Sequence, residues 1–161
     1  MHKLLAILVL SGLCACTMPM NPDEYKDAIS GNVLGAQEHY TVPVAYNAVV
    51  ANLKSAAGRC LQYTTNGILT NHGWVALPSR VTGEVRVVKP GQAQLTVQSS
   101  GGTSLFNGGQ KPENGWYIFV ADIAPASATS TAMTLYSGQF GSLSSRVKTW
   151  ASGSDPSCPI L

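Results

Sequence analysis

Charged residues are scarce in this 161-residue chain. Asp, Glu, Lys and Arg together make up 11% of it, while hydrophobic residues make up 45% and the formal net charge is +2. The densest basic group is Arg80, Arg86 and Lys89, which are spread along a strand-like segment rather than clustered. A nucleic-acid-binding surface normally shows a clustered basic stripe, so we expect no nucleic-acid partner. The apolar content also excludes wholesale disorder, and the length fits one domain.

Catalytic signatures are missing as well. The sequence has no G-x-S-x-G elbow, no H-E-x-x-H pair, no phosphate loop and no dinucleotide fingerprint. The acids are dispersed, and His39 and His72 form no ligand cluster. We therefore predict no enzymatic activity, no cofactor and no metal. Asp122 stands out because its neighbours are apolar, and we interpret it as an outward-facing strand residue opposite a basic neighbour such as Arg86.

The N-terminal apolar run, Leu4–Leu10, is much shorter than the roughly 20 residues that a helix needs to span a bilayer. It follows a short basic start, Met-His-Lys. It precedes a cleavage region that is rich in small residues, Ser-Gly-Leu-Cys-Ala-Cys16. A basic start, an apolar run and a cleavage region of small residues are the pattern of a secretory signal peptide. We therefore predict that residues 1–15 direct export.

Within this cleavage region, the sequence Leu13-Cys14-Ala15-Cys16 resembles the bacterial lipobox. The resemblance implies cleavage before Cys16, acylation of that cysteine with palmitate and related chains, and attachment to a membrane, since two or three acyl chains give stable anchoring. Cys14 is the competing site, but it would place a bulky Leu13 next to the cut. Thr17, where an Asp would favour inner-membrane retention, implies the outer membrane facing the periplasm.

Residues 17–42 are rich in polar and turn-forming types and show no sustained period. We predict that 16–42 is the acylated cysteine followed by a flexible tether, with room for no more than a brief helical turn near Tyr25–Ile29. A single periplasmic α+β domain is then expected over 43–161.

Within that domain, apolar residues recur at helical spacing over 44–60 and again up to about Ala151. Strand-like runs lie between them, and Lys89-Pro90-Gly91 marks a hairpin turn. The predicted fold is an antiparallel sheet of about four strands flanked on one face by an N-terminal and a C-terminal helix. This order resembles the helix-grip modules of outer-membrane assembly lipoproteins. The predicted strands are Trp74–Leu77, Val81–Val88, Gln92–Gln98, Trp116–Ile123 and Ser130–Tyr136.

Two cysteines remain once Cys14 is removed and Cys16 is acylated. An even pair in an oxidising compartment favours a disulfide between Cys60 and Cys158. The alternatives are a buried free Cys60, a redox pair or a metal site, although the chain has no C-x-x-C motif to support the last two.

The predicted loop 99–114 carries Leu105 and Phe106 between two glycine pairs, which makes them candidates for partner contact. The other reading is a plain flexible loop. We predict a non-enzymatic accessory or adaptor lipoprotein that binds another envelope protein. The alternatives are a module that binds a small apolar ligand or lipid and, for want of a catalytic set, least of all an envelope hydrolase.

Overall fold

A computed structural model describes residues 18–32, 35–65, 78–101, 111–138, 142–154 and 158. Over those residues the chain forms three helices and six strands. In chain order they are α1 (Pro22–Ser30), β1 (Ala36–Val42), α2 (Tyr46–Cys60), β2 (Gln62–Thr65), β3 (Ser79–Lys89), β4 (Gln92–Gly101), β5 (Trp116–Pro125), β6 (Thr131–Ser137) and α3 (Ser142–Ala151).

The six strands form one sheet in the order β1-β6-β5-β4-β3-β2, and every neighbouring pair is antiparallel. The α+β class is confirmed, as are the helices that were predicted over 44–60 and up to Ala151. The prediction of about four strands is too low, because β1 and β2 extend the sheet at its two edges. The predicted hairpin is confirmed, since Lys89 pairs with Gln92 across the Pro90-Gly91 turn.

One face of the sheet, the inner face, packs against α2 and α3. Strand side chains alternate between faces, so every second residue of a central strand enters this core. On β5 these are Phe119, Ala121 and Ile123, all at most 1% exposed. They meet Leu53 of α2 and Val147 of α3 in one hydrophobic cluster. The inner face is therefore filled by the protein's own side chains.

The predicted tether over 16–42 is wrong from Pro22 onward, because α1 and β1 belong to the folded domain. Asn21 caps α1 by accepting a hydrogen bond from the Glu24 backbone N–H at 2.9 Å. The Glu24 carboxylate in turn accepts from the Met20 N–H at 2.7 Å, and Pro22 occupies the first turn. These contacts fix a nine-residue helix where composition alone indicated coil.

The outer face of the sheet carries α1, which packs against β5, β6 and β1. The helix covers only this side of the outer face, so β3, β4 and their hairpin turn project beyond it. The two faces thus differ: the inner one is closed by two helices, and the outer one is half covered by one.

The Cys60–Cys158 disulfide is confirmed, with an Sγ–Sγ distance of 2.02 Å and a Cα–Cα distance of 4.9 Å. It joins the end of α2 to the C-terminal segment over 98 residues of sequence. Several other predictions lie outside the described residues: the signal peptide 1–15 with Cys16, the strand Trp74–Leu77, and the loop residues Leu105 and Phe106.

Candidate functional site

A groove of about 470 Å³ lies on the outer face, between α1 and the β3–β4 hairpin. One wall comes from α1, the other from the hairpin, and the floor from β4, β5 and β6. Its lining residues are Asp23, Lys26, Val88, Lys89, Gln92, Ala93, Gln94, Asp122, Ile123, Ala124, Ala132 and Thr134. We call it the outer-face groove.

The floor of the outer-face groove carries a row of polar side chains across three neighbouring strands. Gln94 pairs with Asp122, and Asp122 pairs with Thr134, so the three residues lie side by side in register. Their flanking residues on each strand point into the inner core. The alternation that builds the core therefore also aligns this polar row.

Asp122 is held from two sides. Its Oδ1 accepts a hydrogen bond from the Gln94 side-chain amide at 2.8 Å, and its Oδ2 lies 3.0 Å from the Lys26 ammonium of α1. Burial alone would lower the pKa of Lys26, but its contacts with Asp23 and Asp122 outweigh burial and raise that pKa. The ion pair therefore fastens α1 to the sheet while both groups are charged.

The predicted outward orientation of Asp122 is confirmed, but its predicted basic neighbour is wrong. Arg86 instead bonds Glu84, two residues away on the same strand, with 2.6 Å between Nε and Oε1. Arg86 lies on β3, one strand beyond the direct neighbour of β5, whereas Lys26 reaches Asp122 from the helix above. Sequence reasoning missed Lys26 because the segment that carries it was read as a tether.

A second contact fixes α1 on the outer face. The bulge in β5 at Ile118 leaves a carbonyl outside the regular ladder, and the Tyr25 hydroxyl donates to it at 2.7 Å. Tyr25 is 6% exposed, and burial raises its pKa to about 12. Its ring lies 6.3 Å from that of Tyr117. Tyr25 is thus the residue of α1 that is buried against the sheet.

The hairpin wall differs from the α1 wall because none of the described residues pairs with its cation. Lys89 forms no ion pair with any residue in the described ranges, and it lies exposed at the end of β3. A register shift between Val87 and Lys89 inserts Val88 as a bulge, which leaves Val87 55% and Val88 56% exposed. Gly91, with φ of +72°, closes the turn.

The described ranges offer neither a metal site nor a membrane-spanning helix. There, no group of three or more His, Cys, Asp or Glu residues could hold a metal ion. His39 lies on the exposed edge strand, 3.2 Å from the Thr134 hydroxyl. None of the helices that the structure describes is both long and apolar enough to cross a membrane.

No protein-family model matches the chain, and no curated protein matches it. Among solved structures, the chain is similar to a START superfamily protein from Mycobacterium smegmatis, at 9% sequence identity and a TM-score of 0.30. The alignment covers 74% of this chain and 87% of that one. A superposition at this level does not define a common fold.

Proposed function

We propose that the protein is a non-enzymatic lipoprotein of the bacterial outer membrane. Acyl chains on Cys16 hold it on the periplasmic side, and its folded head binds a partner protein of the cell envelope. The observation that carries the proposal is the outer-face groove, which is open, lies beside the first helix after Cys16 and offers at Lys89 a cation that forms no ion pair with any described residue.

Export is supported by the Cys60–Cys158 disulfide. Disulfides persist in oxidising compartments such as the periplasm and are rare in the cytosol. This agrees with the signal-peptide pattern of residues 1–15, which was found independently of the two cysteines. A second, unrelated feature of the chain therefore favours the same compartment.

Binding rather than catalysis is supported by the state of Asp122. Both of its carboxylate oxygens are engaged, one by Gln94 and one by Lys26. A general base has to accept a proton from a substrate within hydrogen-bond reach, and a carboxylate held by an ammonium ion is poorly suited to that task. Asp122 serves to position α1 and to shape the groove floor.

A protein partner is favoured by the mixed lining of the groove. Lys89 and Gln92 offer hydrogen-bond donors on the hairpin wall, while Ala124 and Ala132 add apolar contacts on the floor. Interfaces between separately folded proteins combine polar and apolar groups in this manner. The ammonium of Lys89, which no described residue pairs, fits a carboxylate or a carbonyl oxygen of the partner segment.

The alternative is a small apolar ligand or a lipid, and the groove volume of about 470 Å³ favours it, being typical of small-molecule sites. The polar row on the floor argues against a wholly apolar ligand. A lipid would have to place its headgroup over Asp122 and Gln94 and its chain along Val88.

The anchor is tested by metabolic labelling with palmitate. We expect Cys16→Ser to abolish the label and Cys14→Ser to leave it unchanged, because only Cys16 has the lipobox small residue before it. Continued labelling of Cys16→Ser would remove the acylation site that the proposal requires.

The groove is tested by replacing Gln94 with a photo-crosslinking amino acid in growing cells, with exposed Lys54 of α2 as the matched control. We expect a discrete protein adduct from position 94 that is absent from position 54 and is lost on Lys89→Glu. A phospholipid adduct at position 94 would support the alternative instead. Equal adducts at both positions, or none, would refute the groove as the binding site.

A further inference from the structure

The distance between Cys16 and the folded head is short. The cap of α1 is Asn21, five residues after the cysteine, and five extended residues span at most about 18 Å. The predicted tether would have had 26 residues, from 17 to 42. If Cys16 is acylated, as the proposed function requires, the start of α1 is held within that distance of the bilayer surface.

The β3–β4 hairpin turn lies on the same side of the head as the start of α1. Asp23, in the first turn of α1, lines the outer-face groove together with Val88, Lys89 and Gln92 of the hairpin. A groove of about 470 Å³ is only a few side chains wide, so these residues are neighbours in space. A membrane that holds the start of α1 is therefore within reach of the hairpin turn.

Exposed apolar side chains concentrate at these two places. Among the residues that the structure describes, five large hydrophobic side chains are exposed. Val87 and Val88 are at the hairpin turn and Met18 and Met20 precede α1, which leaves only Ile118 elsewhere. Single exposed hydrophobic residues are ordinary, but a group at one place marks an interaction surface.

We propose that the hairpin turn and the segment before α1 rest on the phospholipid bilayer that holds the acyl chains of Cys16. Val87, Val88, Met18 and Met20 enter the interfacial layer, where apolar side chains leave water. Binding at this layer strengthens with the apolar area that is buried in it. The inference rests on the proposed acylation. It means that the folded domain contacts the membrane surface and is not held at a distance from it.

The test uses the full mature lipoprotein reconstituted into vesicles of phosphatidylethanolamine and phosphatidylglycerol. Val88→Cys introduces the single free thiol, because Cys16 is acylated and Cys60 is bonded to Cys158. An environment-sensitive dye on that thiol is then exposed to lipids that carry a quencher at the acyl-chain level. Lys54→Cys, on the helix that covers the opposite face of the sheet, is the matched control.

We expect a blue-shifted emission at position 88 and quenching several-fold stronger than at position 54. If intact mass shows acylation but the two positions are quenched equally, the seating on the bilayer is refuted while the anchor stands. A blue shift at position 88 without lipid quenching would mean that a second copy of the protein covers the turn, which also refutes it. If mass shows no acylation, the proposed function fails and this inference fails with it.

Discussion

Tyr25 gives the sharpest test of how α1 is attached to the sheet. Tyr25→Phe removes the hydroxyl that donates to the Ile118 carbonyl and leaves the ring in place. A hydrogen bond of this kind contributes about 0.5–1.5 kcal/mol, and a buried carbonyl left without a donor adds to the loss. We expect the free energy of unfolding to fall by about 1–2 kcal/mol at pH 8.

The same residue predicts how that loss depends on pH. The pKa of Tyr25 is about 12 in the folded protein and 10.0 when unperturbed. Because the pKa of Tyr25 is raised in the folded protein, the protonated hydroxyl stabilises the fold fully below pH 10. This stabilisation is lost as the pH rises from 10 to 12. At pH 11 Tyr25 is ionised in most unfolded chains but not in most folded ones. The free energy of unfolding of the wild type is therefore about 1.4 kcal/mol lower than at pH 8 from this group alone.

Phe cannot ionise, so the gap between the wild type and Tyr25→Phe should narrow by about 1.4 kcal/mol between pH 8 and pH 11. Urea unfolding at the two pH values measures the gap, and ionisation of every other group cancels because both proteins share it. Tyr117→Phe is the control, since the Tyr117 hydroxyl makes no hydrogen bond within the described residues. At pH 8, Tyr117→Phe should lower the free energy of unfolding by less than Tyr25→Phe does. A gap for Tyr25→Phe that is constant from pH 8 to pH 11 would refute the buried, hydrogen-bonded hydroxyl.

The remaining predictions concern covalent and steric constraints. Reducing the Cys60–Cys158 disulfide opens a loop of 98 residues, so unfolding in guanidinium should show a loss of up to about 4–5 kcal/mol, and an unchanged midpoint would contradict this. Gly83→Ala should cost about 1–3 kcal/mol, because a Cβ there would lie 2.4 Å from the Cβ of a buried leucine. Gly58→Ala, in helix α2 with nothing within 4 Å of the added carbon, should instead stabilise by about 0.5–1 kcal/mol. Thermal unfolding of the two glycine variants gives opposite signs if the packing is right.

The elements that the sequence predicted well are those whose apolar period is long and buried. In α2, six of the fifteen residues are buried on one side. β6 alternates buried and half-buried residues along its whole length. The hairpin followed from Pro90-Gly91, whose turn chemistry is local and needs no tertiary information. Local patterns therefore gave the middle of the domain and its last helix.

The elements that the sequence missed are short: α1 lies on the outer face, and β1 and β2 form the two edges of the sheet. α1 buries only Tyr25, so it has no apolar stripe to detect. β1 is an edge strand whose outward residues Gln37, His39 and Thr41 are polar, which gave it the composition of a tether. The signal that could have found α1 was the Asn21-Pro22 start followed by a glutamate at the capping-box position.

The outer-face groove could be predicted only in part. Asp122 was conspicuous in sequence because a charge interrupts an apolar strand, and its outward orientation followed from the alternation of that strand. Its partners could not be predicted. Gln94 lies opposite Asp122 only in the observed register, and Lys26 arrives from a helix whose position depends on long-range packing. Tertiary contacts, not local pattern, assemble this site.

The groove exists only while α1 stays docked, because α1 supplies one of its walls. Two polar contacts fasten that helix to the outer face, the hydroxyl of Tyr25 on the β5 bulge and the ammonium of Lys26 on Asp122. The same helix is the first folded element after Cys16, so in the proposed lipoprotein any displacement of the domain relative to the lipid would act on α1 before it reaches the sheet. The shape of the groove therefore depends on the same two contacts that would link the proposed anchor to the sheet. Variants that weaken either contact should lower photo-crosslinking at position 94 even when the acyl chains remain in place.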